Sequence, residues 1–239
     1  MKFNTNSNTY IITYSVVMVV IVAVLLSVAA LGLKPRQEAN MLNEKKTQIV
    51  KALGEDPATV AYDSVIAKAV ILDASGAVVS EDVNEVFAAL NDLKGSFAAG
   101  RFPLFVANNG VVVPLYGAGL WGPIWGYIAL DTDMNTVKGV VFDHAGETPG
   151  LGAEITTPKH QAMYPGKTIY EGDTIVGVTL KKGGADKSNA HEVDAITGGT
   201  KTSDGVSAMI SDCLNYYKPY FDAARAAAAV EAESNTLNE

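Results

Sequence analysis

The first long pattern in the chain is an apolar stretch over residues 10–33 that contains no charged side chain. About 24 residues of α-helix are enough to span the ~30 Å hydrocarbon core of a bilayer with some tilt. The alternative is a cleaved secretory signal, with small residues at 27–30 as its cleavage region. The apolar stretch is longer than the ~7–15 residue core that is usual for such signals. We therefore expect a retained membrane anchor over residues 10–33.

Charged residues on both sides of the predicted anchor bear on its orientation. Lys34, Pro35 and Arg36 follow the apolar stretch, so charge and a helix-breaking residue are expected to close it. A simple positive-inside count, with Lys2 before the anchor and Lys34 and Arg36 after it, favours a cytoplasmic domain. Long domains cross membranes largely regardless of such counts. The counts therefore leave the side of the membrane open.

A second helix is predicted over residues 38–53, directly after the anchor. Apolar residues form a partial helical stripe there among Lys and Gln side chains: Leu42, Ile49, Val50 and Leu53. A glycine and a proline within residues 54–57 end the pattern. We expect either a stalk helix or a helix packed against the soluble domain.

Apolar runs separated by turn residues predict strands in the middle of the chain. Residues 102–107 and 111–115 flank Asn109 and Gly110, and Asn-Gly between apolar runs is the strongest short hairpin signal. The short spacing favours antiparallel pairing over βαβ units. Further strands are predicted at residues 70–72, 127–130, 137–142 and 174–180, and a short helix at residues 86–93.

The last strong pattern is helical. Apolar residues recur at a spacing of three and four: Val206, Met209, Ile210, Cys213, Leu214 and Tyr217. Thr202 or Ser203 is the expected N-cap, and Pro219 is expected to kink or end the helix. The alanine-rich tail after Phe221 is expected to be a frayed helix or disordered. Together these elements predict an α+β protein: one transmembrane helix, then a domain of mainly antiparallel sheet with flanking helices.

Composition and charge exclude several function classes. The formal net charge of −8 argues against a nucleic-acid partner, since such a partner requires a basic face to neutralise phosphates. The single cysteine, Cys213, cannot form an internal disulfide or hold a zinc ion or iron–sulfur cluster alone. His144, His160 and His191 are far apart in sequence, so no metal site is predicted. Redox chemistry in this chain would therefore need an organic cofactor.

Residues 194–203 form the most informative segment. Gly198 and Gly199 permit a tight turn that exposes backbone N–H groups. Polar side chains surround the two glycines: Asp194, Thr197, Thr200, Lys201, Thr202 and Ser203. Because a helix is predicted to begin directly afterwards, its unpaired N–H donors and positive dipole end suit a phosphate group. The pattern is not a P-loop, which has a glycine where this chain has Thr200. The alternative is a polar turn that caps a helix.

Two other segments are unusually rich in glycine. In residues 146–152, a Pro-Gly pair predicts a turn, and further glycines permit close approach of the backbone. In residues 116–126, glycines alternate with aromatic residues, and Trp121 and Trp125 either stack on a planar ring or are ordinary aromatics. Each segment alone is consistent with a simple loop. Three of them in one small domain favour a flat ligand with a phosphate tail.

These three segments, in this order, resemble the FMN-binding domain of NqrC, a component of the Na⁺-translocating NADH:quinone reductase (Nqr). They are also similar to RnfG, a component of the Rnf complex. The residues that carry the resemblance are Gly119, Leu120 and Trp121; Glu147, Thr148, Pro149, Gly150, Leu151 and Gly152; and residues 194–203. The resemblance covers the whole plan of the chain. It implies residues 1–9 in the cytoplasm, an anchor at 10–33, a stalk and first part of the soluble region at 34–110, an FMN domain at 111–217 and a tail at 218–239.

The resemblance also implies a cofactor and the residue that carries it. In that family FMN is esterified through its phosphate to the last threonine of a Ser/Thr-Gly-Ala-Thr motif. Here that motif reads Thr197, Gly198, Gly199 and Thr200, so Thr200 is the expected acceptor and Gly199 replaces the family alanine. Asp194 matches the acidic residue upstream. Ring contacts are expected from Gly119, Leu120 and Trp121 and from the Glu147–Leu151 segment, and phosphate contacts from Thr202, Ser203 and the helix N-terminus.

The function implied by the resemblance is electron transfer within a membrane complex. The covalent FMN would take electrons from an iron–sulfur centre in neighbouring subunits and pass them to another covalent flavin. The expected partners are the other Nqr subunits, the membrane and a flavin transferase that acts outside the cytoplasm. That places the soluble domain on the periplasmic side of the inner membrane. The alternatives are an RnfG-like flavoprotein, a membrane-tethered binding module without redox chemistry, and an independent enzyme, for which no catalytic triad is apparent.

Overall fold

The computed structural model describes residues 7–236, with side chains as far as Val230. The chain divides into two compact units, one that ends at Lys45 and one that begins at Lys46. In the first unit the described residues form one helix, α1, whose full bounds are Asn8–Ala52. Its most apolar window has a mean hydropathy of 3.1, and none of that window is buried within the protein. By length and composition α1 is therefore suited to cross a membrane.

The prediction that Lys34, Pro35 and Arg36 close the first helix is wrong. α1 continues through Pro35 without a break. One proline removes a single backbone hydrogen bond, and the residues that follow it are good helix formers. Lys34 Nζ and Glu38 Oε1 also lie 3.9 Å apart, one turn from each other. The predicted helix over residues 38–53 is thus the continuation of α1, which ends at Ala52 just before Gly54 with φ +83°.

The second unit is built on a six-stranded sheet in which all neighbouring strands are antiparallel, with the order β2-β1-β3-β4-β5-β6. Its strands are β1 (Ile66–Leu72), β2 (Val78–Ser80), β3 (Phe102–Ala107), β4 (Gly110–Ala118), β5 (Pro123–Leu130) and β6 (Val137–His144). Short helices precede and link the first strands: α2 (Tyr62–Val65), α3 (Val83–Asn91) and α4 (Leu93–Ala98). The predicted antiparallel α+β architecture is confirmed.

Both faces of this sheet are buried, so its central strands read as continuous apolar runs. Alternate residues of β4 point to opposite faces: Val111 and Val113 belong to one core cluster and Val112 to the other. The first core is completed by the long C-terminal helix. The second is completed by α3 and by the last turn of α1, where Ile49 is fully buried. Burial on two sides fixes the register, because a one-residue slip would exchange the two cores.

The predicted hairpins are confirmed, and the strands are longer than predicted. β4 and β5 remain paired through residues 116–118 and 123–125, which the sequence suggested only as a glycine- and aromatic-rich segment. In the Asn108–Gly110 turn, Gly110 has a positive φ of +140°, whereas neither asparagine does. Because β4 and β5 remain paired over this extra length, residues 119–122 lie beyond the body of the sheet.

After β6 the chain becomes less regular. A 3₁₀ helix (Gly152–Thr156) and helix α5 (Pro158–Gln161) are followed by four short strands: β7 (Tyr170–Glu171), β8 (Thr174–Ile175), β9 (Thr179–Lys181) and β10 (Glu192–Asp194). The single strand predicted at residues 174–180 is wrong, because Gly177 adopts φ +69° and separates β8 from β9. β9 and β10 pair in parallel, which departs from the antiparallel pattern of the main sheet.

The last helix, α6 (Thr200–Thr236), begins earlier and ends later than predicted. Thr202 and Ser203 are not N-caps but lie in its first turn, since Gly199 accepts the first helical bond from Ser203 N–H at 2.9 Å. Pro219 does not end the helix, which continues to Thr236 over residues predicted as a frayed helix or disordered tail. Residues 237–239 of that predicted tail lie outside the described part of the chain. The apolar face predicted for α6 is confirmed: Val206, Met209, Ile210, Cys213, Leu214 and Tyr217 are all buried in the first core.

Candidate functional site

The three glycine-rich segments meet in the folded domain. The loop between β4 and β5 (residues 119–122) and the loop after β6 (residues 145–151) leave the same end of the sheet, since Ile124 pairs with His144. The third segment, residues 194–203, includes the first residues of α6. The carboxylate of Glu147 accepts hydrogen bonds from the other two segments and so joins the second segment to both. The structure therefore brings together segments that are widely separated in sequence.

Glu147 lies at the centre of this junction. Its side chain is only 4% exposed. One carboxylate oxygen, Oε1, accepts a hydrogen bond from the backbone N–H of Trp121 at 2.9 Å. The other, Oε2, accepts one from the hydroxyl of Thr202 at 2.6 Å. One carboxylate thus contacts two of the segments while its own backbone belongs to the third.

The environment of Glu147 favours the ionised carboxylate. Burial opposes ionisation, but hydrogen bonds from Thr202, Trp121 and Leu120 together with the nearby His144 outweigh it, so the pKa of Glu147 lies below its usual range. The backbone N–H of Glu147 also donates to His144 Nδ1 at 3.1 Å. At neutral pH the junction therefore contains a buried negative charge that hydrogen-bond donors stabilise.

Two glycines make room for this carboxylate. A Cβ atom on Gly119 would lie 2.4 Å from Glu147 Oε1. A Cβ atom on Gly152 would lie 2.3 Å from Glu147 Oε2 and 2.4 Å from Thr202 Oγ1. All three distances are far below van der Waals contact. These glycines are therefore required by close packing around Glu147.

Thr200 is the first residue of α6 and is half-buried. The helix's first backbone bond comes from Ser203, so the N–H groups of Thr200, Lys201 and Thr202 precede the hydrogen-bonded part of the helix. N–H groups in this position, at the positive end of the helix dipole, form an anion-binding site. The geometry fits the predicted phosphate position next to the Thr200 hydroxyl.

The predicted acceptor motif packs directly against the loop after β6. Gly198 adopts φ +75°, and a Cβ atom there would lie 2.6 Å from Leu151 Cδ2. Gly199 is buried, and a Cβ atom there would lie 3.4 Å from the backbone nitrogen of Gly152. Thr197 is exposed. The turn before Thr200 is thus formed against a second predicted site segment.

Apolar side chains near the junction are unusually exposed. Leu120, Trp121 and Leu151 are 54%, 70% and 42% exposed, respectively. Large apolar side chains left open beside an anion-binding turn are suited to cover a planar ring. Thr148, Pro149 and Gly150 are also exposed. Trp125, by contrast, lies within β5 opposite Tyr116 and outside these loops.

The hydroxyl groups of Thr202 and Ser203 already have partners within the protein. Thr202 is 1% exposed and donates to Glu147. Ser203 is equally buried, and its Oγ accepts from the backbone N–H of Ile196 at 3.1 Å. Both side chains therefore stabilise the turn before α6, while their backbone belongs to the helix N-terminus.

Two glycines that determine how α6 packs against the sheet were not predicted from the sequence. A Cβ atom on Gly205 would lie 2.2 Å from the carbonyl oxygen of Ala118, and one on Gly117 would lie 2.7 Å from Met209 Cβ. These contacts place the first turns of α6 against the end of β4. Gly205 lies inside the first turns of a helix with a strongly apolar face, where glycine is unfavourable. Its presence there could have indicated close packing against another element.

A cavity of about 410 Å³ opens beside the acceptor motif and was also not predicted. Gly150, Asp194 and Thr197 are among the residues that line it. His160 lies in its wall, where burial lowers the pKa of the imidazole to about 4. Its Nε2 lies 3.1 Å from the hydroxyl of Tyr164. His160 is thus a neutral, buried packing residue at pH 7.

The part of the chain that contains these segments matches a known protein family. The model of the FMN-binding domain family matches residues 119–215, which include all three site segments. The C subunit of the Na⁺-translocating NADH-quinone reductase of Pseudomonas aeruginosa is 31% identical in an alignment that covers 92% of this chain and 95% of that protein. The protein of the same name from Pasteurella multocida is 39% identical over 142 residues, about half the length of each protein.

A solved structure supports the same relationship. The crystal structure of the C subunit of the Na⁺-translocating NADH-quinone reductase from Parabacteroides distasonis superposes with a TM-score of 0.72 at 36% sequence identity. The superposition covers 79% of this chain and 96% of that one. From its fold, its FMN-binding domain and these relatives, the chain belongs to the NqrC family, the C subunits of Na⁺-translocating NADH-quinone reductases.

Proposed function

We propose that this chain carries FMN as a phosphoester on the hydroxyl oxygen of Thr200 and transfers electrons as one component of a Na⁺-translocating NADH:quinone reductase. One observation carries the proposal. Thr200 is the first residue of α6, beside the free N–H groups of the helix N-terminus, within a segment that matches the FMN-binding domain family. A threonine in that position offers a hydroxyl oxygen for the ester bond. The neighbouring N–H groups can donate hydrogen bonds to the phosphate oxygens.

The residues of the site divide into those suited to the phosphate and those suited to the ring. The N–H groups of Thr200, Lys201 and Thr202 suit the phosphate oxygens. The exposed side chains of Leu120, Trp121 and Leu151 suit the faces and edges of the ring. FMN, when bound, supplies a ring that takes up and releases electrons, and the protein sets its orientation and redox potential.

A covalent attachment suits a redox domain whose ring contacts are open to solvent. Trp121 is 70% exposed, so a ring packed against it would remain partly open to solvent. A noncovalent flavin held there would be lost by dilution, whereas a phosphoester persists. In the proteins that this chain resembles, the bond is made by a separate flavin transferase, which we include among its partners.

The other proposed partners follow from electron transfer. Electrons would arrive from an iron–sulfur centre in neighbouring subunits and leave to another covalent flavin, so the complete reaction requires the assembled complex. The apolar part of α1 carries no charged side chain over residues 10–33. Charged groups inside membranes mark ion pathways. We therefore assign this helix an anchoring role and do not expect it to conduct sodium by itself.

We place the domain on the periplasmic side of the inner membrane, because the transferase implied by the resemblance acts outside the cytoplasm. A protease added to intact spheroplasts should then digest the domain while a cytoplasmic marker protein stays whole. Immunoblotting against the domain would measure this. Protection of the domain until the membrane is permeabilised would place it in the cytoplasm and contradict the assignment.

The attachment itself is tested on the wild-type chain. When the chain is expressed with a flavin transferase, its intact mass should exceed that of the chain expressed without one by the mass of a single FMN esterified with loss of water. The denatured protein band should fluoresce as flavin, and the added mass should lie on the peptide that contains Thr200. A membrane-tethered binding module without a covalent flavin would give a dark band and an unmodified peptide.

A further inference from the structure

We propose that Glu147 and Thr202 form a buried positioning link that holds the Leu120–Trp121 loop and the start of α6 together, and that neither side chain binds the flavin. This inference rests on the proposed attachment at Thr200. It assigns to both residues a role different from direct cofactor contact. The link consists of one carboxylate with a separate partner on each oxygen.

The first step in the argument is that Thr202 has only one proton to donate. Its hydroxyl lies 2.6 Å from Glu147 Oε2, and an ionised carboxylate has acceptors only. The proton of Thr202 must therefore point to Glu147. A phosphate ester is also an acceptor, so the Thr202 hydroxyl has no proton left for it. The phosphate would be held by backbone N–H groups at the start of α6.

The second step is that Glu147 is stabilised by hydrogen bonds to neutral groups. None of the ion pairs found within residues 7–236 includes Glu147. Its donors are the Thr202 hydroxyl and the backbone N–H groups of the Leu120–Trp121 loop. Charge-assisted bonds of this kind are roughly twice as strong as neutral ones. The buried charge thus draws two separate segments toward one point.

The third step is that the space around the link is closed. Gly119 and Gly152 approach the two carboxylate oxygens so closely that neither position has room for a methyl group. Glu147 is 4% exposed and Thr202 is 1% exposed. A ring or phosphate therefore has no access to either side chain. The position of Trp121, a proposed ring contact, is coupled through this link to the helix turn that carries Thr200.

The test compares two changes at position 202 in the full chain, expressed with the transferase. Thr202→Val removes the hydroxyl and keeps the shape of the side chain, whereas Thr202→Ser keeps the hydroxyl. We expect the valine variant to incorporate flavin roughly tenfold more slowly, by analogy with the loss of one hydrogen bond to a charged group. The serine variant should match the wild type. Mass spectrometry of samples taken over time would give both rates.

A third variant separates the link from direct phosphate binding. Glu147→Gln preserves the size of the side chain but has one acceptor oxygen where the carboxylate has two. It therefore cannot accept from both Trp121 N–H and the Thr202 hydroxyl, and it should also slow incorporation. If Thr202 instead donated its proton to the phosphate, Glu147 would not hold that proton, and incorporation would stay at the wild-type rate or rise. The midpoint potential of the attached flavin is a second readout. The link predicts a potential that differs from wild type in the valine and glutamine variants and not in the serine variant.

The possible outcomes separate this inference from the proposed function. Urea unfolding would confirm that the variants are folded. If the valine variant does not fold, the glutamine variant still tests the link. Wild-type incorporation rates and potentials in both the valine and glutamine variants would overturn the link and leave the attachment at Thr200 intact. A wild-type chain that gains no flavin would overturn both.

Discussion

Replacing Thr200 by alanine should abolish covalently bound flavin completely. The ester requires a hydroxyl oxygen on the first residue of α6, and alanine offers none. Thr197 is exposed two residues before the buried Gly199 and lies outside the helix, while Thr202 and Ser203 are buried with their oxygens in use. No neighbouring hydroxyl in the motif therefore takes over. In-gel flavin fluorescence and the intact mass of the purified chain would measure the loss.

The change should leave the fold nearly intact. Thr200 is half-buried and its side chain is not part of either core cluster. Alanine is a good helix former, so we expect the free energy of unfolding to change by less than about 1 kcal/mol. Thr200→Ser is the matched control, because it retains a hydroxyl at the same position and should still accept flavin. An alanine variant that keeps the full flavin mass would place the attachment at another residue.

Much of the sheet was predictable because its residues carry their own local signals. Residues 102–107 and 111–115 are apolar runs around an Asn-Gly turn, and the structure pairs them as β3 and β4. Helix α6 shows its buried face at a spacing of three and four. In these elements local propensity, turn chemistry and burial all favour the same structure, which is the condition for a sequence-based prediction to succeed.

The predicted helix and strand boundaries were wrong where the effect of a single proline or glycine was overestimated or underestimated. Pro35 and Pro219 were expected to limit helices, yet each lies inside one, since the cost of one lost bond is offset by the helix formers around it. Gly177 was read as part of a strand, although its positive φ breaks that strand in two. The backbone conformation of an isolated glycine depends on its tertiary surroundings, which a sequence pattern does not contain.

The three segments of the candidate site were predictable from the sequence, but the hydrogen bonds that join them were not. The three glycine-rich segments were identified from residue types and from the resemblance to a known family. The hydrogen bond between Glu147 and Thr202 joins residues 55 positions apart, and no periodicity links them. A buried polar pair of this kind becomes visible only when burial and distance are known. Thr202 was predicted as a phosphate contact, whereas in the structure its hydroxyl donates to Glu147.

Replacing Gly152 by alanine should have a large effect for the addition of one carbon atom. The new Cβ would lie 2.3 Å from Glu147 Oε2 and 2.4 Å from Thr202 Oγ1. Both atoms are buried, so they must move apart and lose the bond between them. Overpacking and the loss of a hydrogen bond to a charged group together should lower the free energy of unfolding by about 3 kcal/mol. Urea denaturation followed by fluorescence would measure this change.

The same substitution at Gly146 is the matched control, because that glycine lies in the loop that leads to Gly152 and a Cβ atom there meets nothing within 4 Å. Gly146→Ala should retain wild-type stability and flavin content. Gly152→Ala should incorporate flavin at least roughly tenfold more slowly, since its bulk pushes apart the segments that Glu147 joins. Equal stability and equal incorporation in the two variants would mean that the loop relaxes freely around position 152. The close packing of glycine against Glu147 would then have no part in holding the acceptor turn, and Thr200 would depend on the helix alone for its position.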